Sequence, residues 1–379
     1  MISRTTYLPF GRPDFSADEI EAVARVMRSG WVGMGPETIA FENELAAFME
    51  APEVVSVNSC TSALFLSLLA SGVGPGDEVI TPSLTWCATA NAALYLGATP
   101  VFCDIDEAAL CVTPQSVLAV LTPRTKAVVP VHYGGLAVDV AALRRALPDH
   151  VAIVEDAAHA LGALYPDGTR VGSSRNLTCF SFYANKNLST GEGGAISVSD
   201  PAVAERLRSL RQNGMPANAW MRFVDPKVRG AGTVVELGYK ANYIDLQAAI
   251  GRVQLRRQPE FREKRLKVAE EYARRLPQLE TQAGLHGPAH ARHLYVVRLP
   301  DGPGSVGRDE VLGAMRTRNF GAAVHYTPLH TMPLYDTRPV QLPITDRVSR
   351  DILTLPISAS MTVEDARDSA RALVESARL

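Results

Sequence analysis

Residues 54–70 read VVSVNSCTSALFLSLLA, and this stretch contains the unit on which the predicted fold is built. A short apolar run is followed by the small polar turn NSCT and then by a second apolar run of helical length. A strand, a tight turn and a helix in this order are typical of a parallel sheet whose faces are covered by helices. The same unit should therefore recur along the chain.

The unit recurs as far as about residue 200. Further apolar strands are predicted at EVIT (78–81), PVFCDI (100–105), KAVVPV (126–131), VAIVE (151–155), LTCFSF (177–182) and GAISVS (194–199). Helices are predicted between them near residues 88–96 and 139–147, and a helix over 17–28 with Ser16 and Glu19 as its capping box precedes the series. This alternation predicts an α/β fold with a mostly parallel sheet sandwiched by helices.

The sequence pattern changes after about residue 250. The elements predicted there are a long helix over 246–276, a strand at 295–299, a helix at 308–317, a strand at 322–326 and a last helix from residue 363. This order is typical of a smaller α+β domain. We expect a large domain over residues 1–250 and a small C-terminal domain over residues 251–379, joined by the long helix.

Composition indicates an ordinary soluble globular protein. The 379 residues carry a formal net charge of -2, with 46% hydrophobic and 21% charged residues. No overall field favours nucleic acid or an anionic membrane, and the longest apolar stretch, residues 63–70, is too short to span a bilayer. The N-terminus lacks the apolar region of a signal peptide, and five scattered cysteines suggest free thiols. We expect a cytoplasmic protein with no nucleic-acid or membrane partner.

Chemically distinctive residues follow four of the predicted strands. These segments are residues 58–62, 82–86, 156–159 and 183–186. Ligands of open α/β sheets bind beyond the carboxyl ends of the strands, so these segments should meet at one site. Together they supply small hydroxyls, an aromatic ring, a carboxylate and a lysine.

Pyridoxal 5'-phosphate (PLP) needs this set of groups. Its aldehyde requires a lysine such as Lys186, and its ring nitrogen requires a carboxylate such as Asp156 to stay protonated. Its phosphate is held by backbone N–H groups at a helix start and by hydroxyls, and its ring face is covered by an aromatic side chain such as Trp86. The strand ends therefore favour PLP as the cofactor.

Each of these residues also has a structural alternative. Asp156 could cap a helix, Lys186 could be solvated, the hydroxyl turn could be an N-cap, and Trp86 could lie in the core. Each alternative is reasonable for one residue alone. Four suitable groups at four strand ends favour the cofactor site.

Five segments resemble, in the same order, the DegT group of sugar aminotransferases. They are NSCTSAL (58–64), TPSLTWCATAN (81–91), EDAAHALGA (155–163), SFYANKNLSTGEGG (181–194) and GYKANYIDLQAAIG (238–251). The resemblance implies a PLP-dependent transferase of fold type I, similar to aspartate aminotransferase. It also implies a transaminase that moves an amino group from L-glutamate to a nucleotide-linked keto sugar, as a homodimer with shared active sites.

The resemblance assigns roles to individual residues. The implied cofactor contacts are Lys186 (covalent link and proton shuttle), Asp156 (ring nitrogen), His159 (beside the ring), Trp86 (ring face), Thr61, Ser62 and Ser181 (phosphate), and Asn242 (phosphate of the partner subunit). His325 and Tyr326 are candidates for the sugar pocket, with core packing as the alternative. Arg229 and Lys240, with Lys227, could contact a nucleotide diphosphate, with solvation as the alternative.

The segments TPSLTW, EDAAHA and VHY resemble the branch of the family that makes 4-amino-4-deoxy-L-arabinose, which implies a UDP-linked 4-keto sugar as substrate.

Two other functions were considered. A PLP-dependent sugar dehydratase of this fold has histidine where this chain has Lys186. A non-catalytic PLP-binding regulator could lose Asp156 or Lys186, and both are present.

His286, His290 and His293 lie close together in the sequence without an acidic or thiol ligand nearby. We therefore expect no metal site and a structural role for His293.

Overall fold

The computed structural model describes residues 2–216, 219–224, 233–300, 302–335 and 340–379. Its strands are β1 (Glu53–Val57), β2 (Glu78–Pro82), β3 (Thr99–Cys103), β4 (Thr125–Val128), β5 (Ala152–Asp156), β6 (Leu177–Ser181), β7 (Gly194–Val198), β8 (Tyr295–Arg298) and β9 (Ile352–Leu355). Its helices are α1 (Ala17–Ser29), α2 (Pro36–Met49), α3 (Cys60–Ala70), α4 (Cys87–Leu94), α5 (Pro114–Leu118), α6 (Val140–Ala146), α7 (Pro201–Leu210), α8 (Ala219–Val224), α9 (Asp245–Arg256), α10 (Gln258–Arg275), α11 (Arg308–Thr317), α12 (Pro343–Asp351) and α13 (Val363–Ala377).

Strands β1 to β7 form one sheet in the order β1-β7-β6-β5-β4-β2-β3. Strand β7 runs antiparallel to both of its neighbours, whereas the other adjacent pairs are parallel. The carboxyl ends of six strands and the amino end of β7 therefore meet at one edge of the sheet, which we call the carboxyl edge. The predicted α/β class with a mostly parallel sheet is confirmed.

The sheet is buried on both faces, which explains the continuous apolar runs of its strands. Ile153 of β5 packs into a core that includes side chains of α2, α6 and α9, whereas its neighbour Val154 packs on the opposite face with α3, α4 and α7. Adjacent residues of a strand point to opposite faces, so both must be apolar here. This packing holds the strand ends, and the polar residues that follow them, in fixed positions.

A second, two-stranded sheet of antiparallel β8 and β9 packs with α10, α11 and α13 around its own apolar cluster. The predicted helix over 246–276 is divided into α9 and α10 at Arg257, with Pro259 in the first turn of α10. Proline lacks a backbone N–H and is tolerated in a first turn, where that donor has no partner. The predicted boundary at residue 250 falls inside α9, and the division into two domains stays a prediction.

The predicted strand at 322–326 is wrong. Ala323 forms a single bridge with Thr354 of β9, through hydrogen bonds of 3.0 and 2.8 Å, and the chain then leaves the sheet. His325 and Tyr326 instead line a cavity at the carboxyl edge of the large sheet. Pro328 follows closely, and its missing N–H prevents further strand pairing there. Within the described ranges, no helix combines the length and the apolar character needed to cross a bilayer.

Candidate active site

A cavity of about 520 Å³ lies at the carboxyl edge of the large sheet. The predicted site residues that line it are Thr61, Trp86, Asp156, His159, Ser181, Lys186, His325 and Tyr326. Its volume lies within the range of roughly 300–1,000 Å³ that is usual for small-molecule sites. The strand ends therefore converge as the sequence predicted.

Asp156 ends β5 and is 5% exposed. Its carboxylate accepts hydrogen bonds from Thr89 Oγ1 at 2.8 Å and from the Ala158 N–H at 3.1 Å. Thr85 Oγ1 lies 2.9 Å from Thr89 Oγ1. Because an ionised carboxylate can only accept, Thr89 donates to Asp156 and accepts from Thr85. Burial raises the pKa of Asp156 and the two hydrogen bonds oppose that rise, so the site suits a cationic N–H donor.

Lys186 follows β6 and presents its Nζ to the same cavity. Burial lowers the pKa of Lys186 to about 8, against the opposing charge of Asp156. A fraction of this amine is therefore neutral near neutral pH, and the neutral amine is the form that attacks an aldehyde. His293 Nε2 lies 3.5 Å from Lys186 Nζ, so the histidine to which the sequence assigned a structural role adjoins the lysine.

His159 is held as a neutral ring. Its Nδ1 accepts a hydrogen bond from the Gly134 N–H at 3.3 Å, and its Nε2 lies 3.1 Å from the hydroxyl of Tyr326. Burial lowers the pKa of His159 well below its usual value, and the nearby charge of Lys186 acts in the same direction. The proton of the neutral ring therefore lies on Nε2, which donates to Tyr326.

His325, Tyr326 and Trp86 form another part of the cavity wall. His325 Nδ1 lies 2.9 Å from Thr354 Oγ1, and burial lowers the pKa of His325 to about 3. The Trp86 ring is 60% exposed, and its centroid lies 6.0 Å from that of Tyr326. Core packing, the alternative considered for Trp86, is therefore wrong, because the ring borders the cavity and solvent.

The hydroxyl turn forms the start of α3. Ser59 caps the helix by accepting a hydrogen bond from the Ser62 N–H at 3.1 Å, and the Ser62 hydroxyl donates to Asn58 Oδ1 at 2.7 Å. Ser62 is therefore part of the cap and does not line the cavity, whereas Thr61 does. A Cβ at Gly194 would lie 2.6 Å from the carbonyl carbon of Ser59, so the start of β7 can approach this turn only as glycine.

Asn242 and Lys240 do not reach this cavity within their own chain. Both line a separate cavity of about 350 Å³ together with Trp31, and the Asn242 side chain donates to the Tyr243 carbonyl at 3.1 Å. Their segment nevertheless runs beside the hydroxyl turn, since the Asn58 N–H donates to the Ala241 carbonyl at 2.9 Å. Lys227 and Arg229 lie outside the described residues.

Several residues in or beside the cavity were not singled out from the sequence. Thr85 and Thr89 both lie within the quoted segment TPSLTWCATAN, and their spacing of four residues was the available signal. Cys60, Thr85 and Asn185 line the cavity, whereas Thr89 is fully buried and contacts Asp156. The buried Oδ1 of Asn185 has no hydrogen-bond partner among the described residues.

These groups fit PLP. Asp156 offers an acceptor for a protonated ring nitrogen, and Lys186 offers an amine of low pKa. Apart from the Ser62 N–H, which donates to Ser59, the first N–H groups of α3 have no partners within the helix, as at any helix start, and suit a phosphate together with Thr61 and Ser181. The partnerless Asn185 oxygen provides a further polar contact for a ligand.

Comparison with known proteins gives the same assignment. Residues 13–374 match the model of the DegT/DnrJ/EryC1/StrS aminotransferase family. The spore coat polysaccharide biosynthesis protein SpsC of Bacillus subtilis (strain 168) is 41% identical over 376 residues, 96% of each chain. The aminotransferase TlmJ from Streptoalloteichus hindustanus has a TM-score of 0.88 and 35% identity, over 97% of each chain.

A further solved structure bears on the cofactor. Spr1654 of Streptococcus pneumoniae, assigned as a sugar aminotransferase and solved in its PLP form, has a TM-score of 0.87 and 28% identity over 97% of each chain. The chain therefore belongs to the DegT/DnrJ/EryC1/StrS aminotransferase family and is a PLP-dependent sugar aminotransferase.

Proposed function

We propose that this enzyme transfers the amino group of L-glutamate to the ketone of a nucleotide-linked keto sugar, with a UDP-linked 4-keto sugar as the first candidate. The observation that carries the amino transfer is the convergence of Lys186, Asp156 and the start of α3 on one cavity. The sugar assignment is supported by the resemblance of TPSLTW, EDAAHA and VHY to the arabinose branch. Synthesis of amino sugars for surface polysaccharide, lipid A or natural products is the expected context.

Different cavity residues would hold different parts of PLP. Lys186 would bind the aldehyde carbon, Asp156 would accept a hydrogen bond from the ring nitrogen, and Trp86 would cover a ring face. Thr61 and Ser181 would hold the phosphate with the N–H groups of α3, and the Ser62 hydroxyl fixes the turn from which these N–H groups project. When bound, PLP supplies an electron sink and stores the amino group between the two halves of the reaction.

Lys186 and Asp156 perform the proton chemistry. With a pKa of about 8, the Lys186 amine can both accept a proton from the substrate carbon that bears the amino group and return one. The Asp156 carboxylate keeps the ring nitrogen protonated, and its hydrogen bonds to Thr89 and Ala158 keep the carboxylate in place. Neutral His159 orients Tyr326 and would lie beside the ring. His325 and Tyr326 contact the sugar.

The charged part of the substrate requires a further surface. A nucleotide diphosphate brings two phosphate groups to a chain of net charge -2, so local cations must bind it. We propose that Lys240 and Arg229 contact the diphosphate, and that Asn242 reaches the cofactor phosphate of a partner subunit in a homodimer. The exposed apolar side chains of Val235 and Leu237, just before Lys240, suit a subunit contact. All five cysteines are free, which suits a cytoplasmic enzyme.

A panel of ketones tests this substrate class. The enzyme is first loaded with the amino group from glutamate, and the spectrum of its cofactor is then followed after addition of keto-sugar nucleotides, free keto sugars or cyclitol ketones. Nucleotide-linked 4-keto sugars should restore the original spectrum fastest. Equal rates with free keto sugars or cyclitols would refute the nucleotide assignment and leave the aminotransferase assignment intact.

A matched pair of variants tests the diphosphate contact. Lys240→Ala should raise KM for the sugar nucleotide and leave the glutamate half-reaction unchanged. Lys267→Ala removes the same charge from α10, where Lys267 pairs with Glu263, and should change neither. An unchanged KM in Lys240→Ala would refute the proposed contact.

A further inference from the structure

A third cavity, of about 280 Å³, lies next to the lysine segment but outside the active site. Three of its lining side chains are arginines, Arg170, Arg262 and Arg265, and none of its lining residues is acidic. Asn187, the residue after Lys186, lines it as well. We call it the arginine cavity.

Arg265 is the most buried of the three arginines, at 3% exposure. Its Nη1 donates to the carbonyls of Arg292 and Ile357, both at 3.3 Å, and its Nε has no hydrogen-bond partner among the described residues. Burial lowers the pKa of Arg265 to about 10, and no acidic group opposes the shift. A buried guanidinium with long contacts to carbonyls and an unused donor is costly unless an anion compensates it.

The other two arginines add to the positive charge of the wall. Arg262 donates to the carbonyl of Gly162 at 2.6 Å and to that of Pro288, and both acceptors are uncharged. Burial lowers the pKa of Arg262, and the charge of Arg170 lowers it further. Arg170 does have an acidic partner, Glu50, at 3.2 Å on the exposed side. The uncompensated charge therefore belongs to Arg262 and Arg265.

We propose that the arginine cavity is a second ligand site, which binds a small anion through Arg262 and Arg265. The ligand chemistry is an oxyanion, from either a carboxylate or a phosphate, because guanidinium groups bind both through paired N–H donors. The rings of Phe48 and Phe261 line the same cavity and suit a small apolar body. The volume lies just below the usual range for drug-sized ligands, so the ligand is smaller than a sugar nucleotide.

The arginine cavity is connected to the catalytic lysine by two side chains. Asn187 Oδ1 lies 3.3 Å from His293 Nδ1, and His293 Nε2 lies 3.5 Å from Lys186 Nζ. The charge of Arg265 is among those that act on His293. An anion bound to Arg265 would therefore alter the surroundings of Lys186 without entering the active site, as a regulatory ligand does.

The binding experiment uses the holoenzyme, because bound PLP fills the phosphate site at α3. Inorganic phosphate and succinate are titrated separately by calorimetry, against sodium chloride of equal ionic strength. We expect one saturable site per chain that chloride does not reproduce. Saturation by phosphate alone identifies a phosphate ligand, and saturation by succinate alone identifies a carboxylate ligand.

Three variants locate the binding. Arg262→Gln should weaken binding by about tenfold or more, since it removes charge-assisted hydrogen bonds. Arg265→Gln should do the same, and the half-buried Arg262 provides the decisive variant if Arg265→Gln fails to fold. Arg145→Gln, an exposed position on α6 that does not line the cavity, should bind normally. Absence of saturable binding by either probe, or binding that Arg262→Gln leaves unchanged, overturns the proposal, because the anion then binds elsewhere.

Discussion

Replacement of Thr89 by valine removes the hydroxyl that holds Asp156 and keeps the shape of the side chain. Thr89 Oγ1 donates to the Asp156 carboxylate at 2.8 Å in a site where Thr89 is fully buried and Asp156 is 5% exposed. A hydrogen bond to a charged group contributes about 1.5–3 kcal/mol. Because about 1.4 kcal/mol corresponds to one pKa unit, the pKa of Asp156 should rise by about one to two units.

The direction of the pKa shift depends on whether the Thr89 hydroxyl stabilises the ionised or the protonated form of Asp156. Thr89 donates only to the ionised carboxylate, so its hydrogen bond lowers a pKa that burial has raised. Without it, Asp156 takes up a proton at higher pH and loses its attraction for a protonated ring nitrogen. The affinity for PLP should therefore fall increasingly as the pH drops below the raised pKa of Asp156, by up to about ten- to a hundredfold, and change little at higher pH.

The assay is equilibrium binding of PLP to the apoenzyme, measured across a range of pH. Thr89→Ser keeps the hydroxyl and should restore both the affinity for PLP and its pH dependence. If Thr89 contributed only packing, serine would not restore them. Thr85→Val should have a smaller effect, because Thr85 reaches Asp156 only through Thr89. If Thr89→Val bound PLP with the affinity and pH dependence of the wild type, the proposed role of this hydroxyl would be wrong.

Three further predictions concern the lysine and the subunit contact. Lys186→Ala should bind PLP reversibly through the phosphate contacts and turn over no substrate, so PLP should be lost on dialysis; full turnover would refute the central role of Lys186. The rate at which PLP attaches to wild-type apoenzyme should rise with pH up to about 8 and then level off, because only the neutral Lys186 amine reacts; a flat stopped-flow profile would contradict this. Mixing inactive Lys186→Ala with inactive Asn242→Ala should restore part of the activity, because one hybrid site then has both side chains, and no rescue after verified subunit exchange would exclude a shared site.

Features encoded by neighbouring residues were predicted well from the sequence. The capping box at the start of α1 is an example, since the Ser16 N–H donates to the Glu19 carboxylate at 2.7 Å. The strand-end positions of Asp156 and Lys186 also followed from local patterns, because an apolar run marks each strand and the polar residue marks its end. Such signals need no knowledge of distant contacts.

Features that depend on distant partners were missed. Helix α2 was not predicted, and its start is capped by Asp245, whose Oδ1 accepts from the Gly35 N–H at 2.8 Å and from Thr38 Oγ1 at 2.7 Å. The strand predicted at 322–326 had the right apolar pattern, but His325 and Tyr326 line the cavity at the large sheet instead of pairing with β9. Both outcomes depend on contacts between segments far apart in the chain.

The same reasoning explains the errors within the site. Thr89 is an ordinary helix residue in its local sequence, and its importance lies in a contact with β5. His293 was expected to have a structural role, and its proximity to Lys186 depends on how the segment before β8 packs against the lysine turn. The contact of Ser62 is local instead, since its hydroxyl donates to Asn58 four residues earlier, and its contact with the phosphate stays a prediction.

The pairing of β1 with β7 has a consequence for biosynthesis of the protein. Val57 lies opposite Gly194, and more than a third of the chain separates them. While the chain emerges from the ribosome, β1 and the turn after it have no strand to pair with until β7 has also emerged. Contacts this distant in sequence form slowly, so the newly made chain must keep an apolar strand unpaired for much of its synthesis. We expect nascent chains that end before β7 to bind chaperones, and chains that extend past it to be released.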